Sequence, residues 1–291
     1  MTGRIIKQTG GFYYVDCGDQ VIECRARGVF RKEGVTPLVG DIADVEMTAG
    51  GKGFVTAIGE RKNSMVRPAV ANIDLLLMII SIVDPSPNLQ IIDKMLAIAE
   101  HKNIDAAIIV TKADRADTSE ICELYRSAGY TVVSINSLAD SPKEVEKLID
   151  GKLCVLTGNT GAGKSTLLNA IDPALSIKTG ETSQKLGRGR HTTRTTELYP
   201  LCGGLIADTP GFSAIETMQM ELIKKDELEL CYREFEPFLG KCRFTGCSHT
   251  KEKGCAVIQA LQEGKIALSR HRNYCEMYEE AKQIKDWEVD K

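Results

Sequence analysis

One short stretch constrains this chain more than any other. Residues 158–166 have the sequence Gly-Asn-Thr-Gly-Ala-Gly-Lys-Ser-Thr, which matches the pattern G-x-x-x-x-G-K-[ST], with an apolar run at 153–156 before it and a helix-forming run at 167–170 after it. In such a strand–loop–helix unit the glycines let backbone N–H groups turn toward an anion, and the helix dipole favours negative charge. The stretch therefore predicts a phosphate-binding loop. Its residues are Gly158, Asn159, Thr160, Gly161, Ala162, Gly163, Lys164, Ser165 and Thr166.

Two side chains of this loop and a second motif predict how a nucleotide and its Mg²⁺ would be held. Lys164 would reach the β- and γ-phosphates, and the Ser165 hydroxyl would bind Mg²⁺. The motif Asp-Thr-Pro-Gly at 208–211 follows a predicted strand at 204–207. There Asp208 would hold Mg²⁺, directly or through water, and Gly211 would bring its N–H to the γ-phosphate. A plain turn is the alternative, but the position downstream of a phosphate loop favours the nucleotide role.

A third motif, Thr111-Lys112-Ala113-Asp114, follows a predicted strand at 106–110 and indicates the base. The Asp114 carboxylate can accept hydrogen bonds from both the ring N–H and the exocyclic amine of guanine, a pair that adenine does not offer. The Lys112 stem can lie along the base plane. Thr111 stands where the common pattern has Asn, and a hydroxyl offers fewer hydrogen bonds than an amide. The motif predicts GTP rather than ATP, and the segment 134–136 suggests a further support for the base.

The order of these motifs is informative. In most GTPases the phosphate loop comes first and the guanine motif late, whereas here the guanine motif precedes the loop. This order predicts a circularly permuted GTPase domain, which we place at 64–216. Apolar runs alternate there with helix-length amphipathic stretches, as in a parallel α/β sheet. The predicted strands are 74–83, 106–110, 131–135, 152–156 and 204–207, with a helix at 89–101.

The first part of the chain, 1–63, has a different pattern. Short alternating segments punctuated by glycine predict a small closed β-barrel, with an OB-fold as first choice and an SH3-like barrel as the alternative. The predicted strands are 4–7, 12–17, 21–27, 42–47 and 54–58. A cluster of cations makes this barrel a candidate RNA-binding domain. They are Arg25, Arg27, Arg31 and Lys32.

The last part, 217–291, is charged and mostly helical in pattern, and it contains a Cys/His cluster with the spacing C-x4-C-x-H-x5-C. Three thiolates and one imidazole complete a tetrahedral zinc site and leave no position for water, so the predicted zinc is structural. Its ligands would be Cys242, Cys247, His249 and Cys255. We expect other cysteines, including Cys17, Cys154 and Cys202, to be core residues, and His101 and His271 to lie on helix surfaces.

A barrel, a permuted GTPase domain and a Cys/His module in this order resemble the RsgA/YjeQ family, the ribosome-small-subunit-dependent GTPases, over essentially the whole chain. The resemblance implies a multi-domain α/β protein with an N-terminal OB-fold β-barrel, a central circularly permuted P-loop GTPase domain and a C-terminal helical zinc-binding domain. It also implies hydrolysis of GTP to GDP and phosphate, stimulated by the small ribosomal subunit, and a role in late maturation of that subunit. The expected partners are GTP or GDP, the small subunit and its rRNA.

The segment 187–193 lies between the phosphate loop and Asp208, where a switch belongs, and resembles the family's switch threonine and histidine. Thr193, with Thr192 as second choice, would close onto Mg²⁺ when the γ-phosphate is present. Phe212 stands where Ras-like proteins have the glutamine that orients the attacking water. His191 is therefore the candidate catalytic residue beside Lys164 and Thr193, and a solvated loop histidine is the alternative.

Composition limits which partners and which cellular location we expect. The net charge of −3 gives no bulk argument for nucleic-acid binding, so RNA contact requires local patches such as the acid-free run that holds Lys185, Arg188, Arg190 and Arg194. The longest apolar run falls far short of the roughly 20 residues of a membrane span, and the N-terminus lacks a signal-peptide pattern. We expect a cytoplasmic monomer with no membrane contact and with reduced cysteines. An RNA-binding adaptor that keeps GTP as a structural ligand, and a permuted GTPase acting on another RNA, are alternatives.

Overall fold

The structure, a computed structural model, describes residues 1–32, 34–48, 50–136, 142–175, 196–208 and 221–284. The N-terminal strands are β1 (Thr2–Thr9), β2 (Phe12–Asp16), β3 (Val21–Ala26), β4 (Ile42–Met47) and β5 (Gly53–Ile58), with the short helix α1 (Val29–Lys32) after β3. The strand β1 pairs with both β2 and β4, and β3 pairs in parallel with β5. The order β1-β2-β3-β5-β4-β1 closes a barrel of OB type, which confirms the first choice over the SH3-like alternative.

The central domain is a mostly parallel sheet between helices. After the hairpin of β6 (Ser64–Met65) and β7 (Val70–Ala71) come β8 (Leu75–Ser81), α2 (Leu89–His101), β9 (Asp105–Thr111), α3 (Ser119–Ser127), β10 (Thr131–Ser134), α4 (Lys143–Ile149), β11 (Leu153–Thr157), α5 (Lys164–Ile171), β12 (Thr196–Leu201) and β13 (Gly204–Asp208). The strand order is β10-β9-β8-β11-β13-β12, and β12 alone of these runs antiparallel. All side chains of β8 are buried, as expected of an inner parallel strand.

The barrel and the central domain share one sheet. Antiparallel pairing of β12 with β1 places Lys7 opposite Glu197 and Gln8 opposite Thr196. The Lys7 ammonium lies 2.8 Å from the Glu197 carboxylate. Eleven strands therefore form a continuous hydrogen-bonded array.

The C-terminal part packs on α2. It contains the 3-10 segments Leu228–Cys231 and Arg233–Phe238, followed by α6 (Ala256–Gln262) and α7 (Leu268–Ala281). Turns occupy much of 239–255, so this part is less helical than the sequence predicts.

Polar groups are buried in the contact between this part and α2, beside apolar side chains of both. The Arg270 guanidinium, 1% exposed, lies 2.7 Å from the carboxylates of both Asp93 on α2 and Glu234. Asn273 also donates to Asp93. The prediction that His271 lies on the surface is wrong, because the residue is buried and its Nε2 donates to the His249 carbonyl at 2.7 Å within the C-terminal part.

Three smaller predictions have mixed outcomes. His101 is partly buried and faces Glu227 at 3.7 Å. Cys154 is fully buried, whereas Cys17 and Cys202 are only partly so, and none of the ten cysteines, all of which are described, forms a disulfide. None of the helices in the described ranges has the length and apolarity that a membrane span needs. The domain boundaries at 63 and 216 stay predictions, and the second falls outside the described residues.

Candidate nucleotide and metal sites

The phosphate loop connects β11 to α5 in the predicted strand–loop–helix order. Two of its glycines are required by geometry. Gly158 has φ +144°, and a Cβ there would lie 2.1 Å from the Ile79 carbonyl oxygen on β8. Gly163, the residue before α5, has φ +94° in the left-handed region. A side chain at position 158 would clash with β8, and a side chain at position 163 would disfavour the turn into α5. Glycine at both positions therefore allows the loop to form.

Lys164 lies at the start of α5 and points back into the loop. Its ammonium donates to the carbonyls of Gly158 at 2.5 Å and Asn159 at 2.9 Å. Burial lowers the pKa of this amine. Within the described ranges no carboxylate pairs with it, so its positive charge is available to an anion. Ser165 follows on the first turn of α5, the position from which a hydroxyl can reach a phosphate-bound cation.

The guanine motif ends β9 beside the phosphate loop. The Thr111 hydroxyl is buried, donates to the Ala162 carbonyl at 2.7 Å, and lies 3.2 Å from the Ile80 carbonyl. Asp114 is exposed three residues further on. Thr111 therefore contacts the phosphate loop, and its single donor is satisfied there. The threonine thus links the two motifs.

Neighbouring segments complete this edge of the sheet. The Lys112 ammonium donates to the carbonyls of Asp84 at 2.5 Å and Val83 at 3.3 Å, in the loop between β8 and α2. The Ala113 N–H donates to the Ile135 carbonyl at 3.1 Å, which brings the predicted base-supporting segment 134–136 next to the guanine motif. A small pocket lies between the 85–88 segment and the phosphate loop.

Asp208 is the last residue of β13, one position beyond the Val155–Ala207 pair, so its backbone lies at the same sheet edge as the phosphate loop. The other predicted switch and RNA-contact residues lie outside the described residues. They are Lys185, Arg188, Arg190, His191, Thr192, Thr193, Arg194, Gly211 and Phe212.

The four predicted zinc ligands come together in the C-terminal part, with all their ligand atoms within 4.8 Å of one another. Cys242 Sγ lies 3.8 Å from Cys255 Sγ, and His249 Nδ1 lies 3.5 and 3.3 Å from these two sulfurs. Two sulfurs bound at about 2.3 Å to a tetrahedral ion would lie about 3.8 Å apart. The cluster, with Cys247 as its fourth member, therefore fits a metal ion.

Sequence reasoning missed two residues that hold this cluster. Glu229 Oε2 lies 2.7 Å from His249 Nε2, and His271 binds the His249 carbonyl. Nothing in the local spacing pointed to either residue, because Glu229 lies 20 positions and His271 22 positions from His249. Backbone N–H groups also approach the sulfurs, from Ala256 to Cys242 at 3.3 Å and from Ile258 to Cys255 at 3.5 Å.

The fold and this site define a circularly permuted P-loop GTPase: the strand that carries the phosphate loop is central in the sheet, and the guanine motif comes before it in the chain. Comparison with known families agrees. The family model described as RsgA GTPase matches residues 58–218, and that of the RsgA N-terminal domain matches residues 2–55. The chain belongs to the RsgA GTPase family, and it is a GTP hydrolase.

Relatives span nearly its whole length. The chain is 41% identical to a protein of Geobacillus sp. (strain WCH70), and the alignment covers 97% of this chain and 98% of that protein. It is 43% identical to a protein of Streptococcus pneumoniae, and that alignment covers 96% of this chain and 94% of the relative. Both carry the name small ribosomal subunit biogenesis GTPase RsgA. Among solved structures, YjeQ from Thermotoga maritima has a TM-score of 0.82 at 30% identity, with 98% and 99% of the two chains covered. YloQ, described as a circularly permuted GTPase, has a TM-score of 0.78 at 35% identity, with 98% and 96% covered.

Proposed function

We propose that this chain binds GTP with Mg²⁺, hydrolyses it to GDP and phosphate, and acts in late maturation of the small ribosomal subunit in the cytoplasm. Contact with the subunit stimulates hydrolysis, and hydrolysis releases the protein, which works as a monomer. The name shared by the bacterial relatives supports the subunit as partner. The central domain supplies the chemistry, and the barrel and the metal-binding module supply the contacts to rRNA.

One observation carries the nucleotide half of this proposal. The hydrogen bond from Thr111 to Ala162 joins the guanine motif to the phosphate loop, although the two residues are 51 positions apart. A single nucleotide can therefore reach both motifs at once. The Lys164 ammonium forms no ion pair within the described residues, and it supports a polyphosphate as the ligand, since a half-buried cation is stabilised by an anion.

We assign the roles of the site residues from their motifs. Asp114 binds guanine, the loop amides and Lys164 hold the phosphates, and Ser165 and Asp208 hold Mg²⁺, which neutralises charge on the β- and γ-phosphates. Gly211 and Thr193 are assigned to the γ-phosphate and to Mg²⁺ by motif, and His191 to the attacking water. Since Phe212 cannot orient that water, we expect slow intrinsic hydrolysis that the subunit accelerates.

Zinc in the Cys₃His cluster serves structure, because four protein ligands leave no site for substrate. Around it the loop presents cations that form no ion pair within the described residues: Lys241, Arg243, Lys251 and Lys253. The Arg243 guanidinium lies 5.4 Å from the ring centroid of Phe244, which is 52% exposed. Cations beside an exposed aromatic ring suit phosphates and unpaired bases of rRNA.

The cations of the predicted barrel patch differ in their surroundings. Arg27 forms an ion pair with Glu46, which offsets its charge, and the side chain of Arg31 lies outside the described residues. Arg25 stacks over the Phe12 ring at 4.7 Å, and Lys32 is exposed. Among the described side chains of this patch, Arg25 and Lys32 are therefore the ones that we assign to RNA contact.

The proposal is tested by measuring phosphate release alone, with purified small subunits and with purified large subunits. We expect acceleration by the small subunit only, and loss of release in Lys164→Ala. Release that persists in Lys164→Ala would refute the assigned site. GTP binding without single-turnover hydrolysis would identify an adaptor, and acceleration by the large subunit or by tRNA would identify another RNA partner.

The rRNA surface has its own test. The double variant Lys241→Ala, Arg243→Ala should weaken small-subunit binding and reduce the slope of log affinity against log salt by about 2 if each cation neutralises one phosphate. Its intrinsic hydrolysis should match the unchanged protein. An unaltered slope would remove this loop from the contact.

A further inference from the structure

The imidazole of His249 is held between two chemically different neighbours. Its Nδ1 faces the sulfurs of Cys242 and Cys255 at 3.5 and 3.3 Å. Its Nε2 faces the other way, 2.7 Å from Glu229 Oε2. The ring is buried, with 3% of His249 exposed. The sulfur cluster and the carboxylate therefore face different nitrogens of the ring.

We infer that Glu229 is a positioning residue for the metal centre: it accepts the Nε2–H of His249 and so presents the Nδ1 lone pair to the ion. A neutral imidazole has one protonated and one unprotonated nitrogen, and the hydrogen bond made by the first determines which nitrogen ligates. A carboxylate in this place also raises the basicity of the ligand. The inference rests on the proposed metal site and assigns both the ligating atom and the residue that orients it.

A second contact fixes the same residue from the backbone side. The His249 carbonyl accepts a hydrogen bond from His271 Nε2 on α7 at 2.7 Å, and the His249 backbone is in the left-handed region at φ +57°. A carbonyl can only accept, so His271 must donate there. The main chain of His249 is thus held by α7, whereas its ring is oriented by Glu229. Loss of Glu229 should leave the ligand in place but free its ring to turn.

The position of Glu229 also connects the metal to the central domain. Glu229 belongs to the 3-10 segment Leu228–Cys231, whose ends are buried. Glu227, just before this segment, lies 3.7 Å from His101 on α2. Just after it, Arg233 binds Glu100 at the end of α2 at 2.6 Å. The segment that orients the metal ligand is therefore the segment that docks the C-terminal part onto α2.

The test measures metal retention and not hydrolysis. Zn²⁺-loaded full-length protein is mixed with a chromophoric chelator, and the rate and midpoint of zinc transfer are compared among the unchanged protein, Glu229→Ala and Glu229→Gln. We expect zinc affinity to fall about 10- to 100-fold in Glu229→Ala. Glu229→Gln, whose amide oxygen can still accept from Nε2–H, should recover most of that loss. Glu227→Ala, two positions away with its carboxylate toward α2, is the matched control and should retain zinc normally.

The ligating nitrogen is read directly by nitrogen-15 NMR of histidine-labelled protein. We expect His249 to show a metal-bound Nδ1 and a protonated Nε2 in the unchanged protein. Equal zinc retention in Glu229→Ala and the unchanged protein, or ligation through Nε2, would overturn the inference while leaving the metal site intact. A protein that binds neither Zn²⁺ nor Co²⁺ would instead overturn the metal site itself.

Discussion

Arg270 provides the sharpest test of how the C-terminal part is held to the central domain. Its guanidinium is almost fully buried between Asp93 and Glu234 and lies 4.6 Å from the centroid of the Tyr232 ring. Replacing it in Arg270→Met keeps much of the apolar volume but leaves two buried carboxylates without their cation. Removal of one partner from a buried ion pair typically costs about 3–5 kcal/mol. We expect Arg270→Met to lose stability in this range at neutral pH.

The loss should depend on pH in a defined direction. Burial raises the pKa of Asp93 above its ordinary value, while Arg270 opposes that shift. For a carboxyl whose pKa is raised in the folded state, the stability contribution is full at low pH and disappears as pH rises through the folded pKa. Removing Arg270 raises the folded pKa of Asp93 further, so protonation relieves the buried charge at a higher pH. The cost of Arg270→Met should therefore shrink as pH falls from neutral toward about 5.

The measurement is urea unfolding followed by far-ultraviolet circular dichroism at the two pH values. The control is Lys94→Ala, which removes a partly exposed ion pair between Lys94 on α2 and Glu280 on α7. That pair should contribute less than about 1 kcal/mol at either pH. A cost for Arg270→Met as small as that of the control, or one that grows on acidification, would refute the argument that a buried charge cluster holds this contact.

Three further predictions concern the two sites. Thr111→Val removes the hydroxyl that donates to the buried Ala162 carbonyl. We expect the GDP affinity measured by calorimetry to fall about tenfold, since an unpaired buried carbonyl costs about 1–3 kcal/mol. Unchanged affinity would mean that this hydrogen bond does not contribute to nucleotide binding. Gly158→Ala places a Cβ against the Ile79 carbonyl, so nucleotide binding should be lost even where circular dichroism shows a folded chain, and normal binding would contradict the close approach. Chelator-driven metal removal should increase hydrogen exchange in 228–238 while leaving β8 protected, and uniform protection would separate the metal from docking.

Much of the architecture could be predicted because its signals are local. The barrel strands, the parallel strands and α2 follow from hydrophobic period and glycine placement, and the phosphate loop and Cys/His cluster follow from fixed spacings. The strand β12 was not predicted. Pro200 argues against a strand in a sheet interior, yet β12 lies between β13 and the barrel strand β1.

The polar contacts of α7 could not be predicted for a different reason. Hydrophobic patterning places charged residues outside, and α7 contains Arg270, His271 and Asn273, all of which are buried. Their partners, Asp93 and the His249 carbonyl, are more than 20 positions away in the chain. Only the folded arrangement shows that these polar groups satisfy one another.

The single sheet that runs through both N-terminal domains has a mechanical consequence. The barrel is joined to the central domain by backbone hydrogen bonds between β1 and β12 as well as by the chain itself. These hydrogen bonds restrict rotation of the barrel relative to the central domain. The first residue of β12, Thr196, comes three positions after Thr193. A particle that binds the barrel and tilts it would therefore also move β12, whose first residue is Thr196.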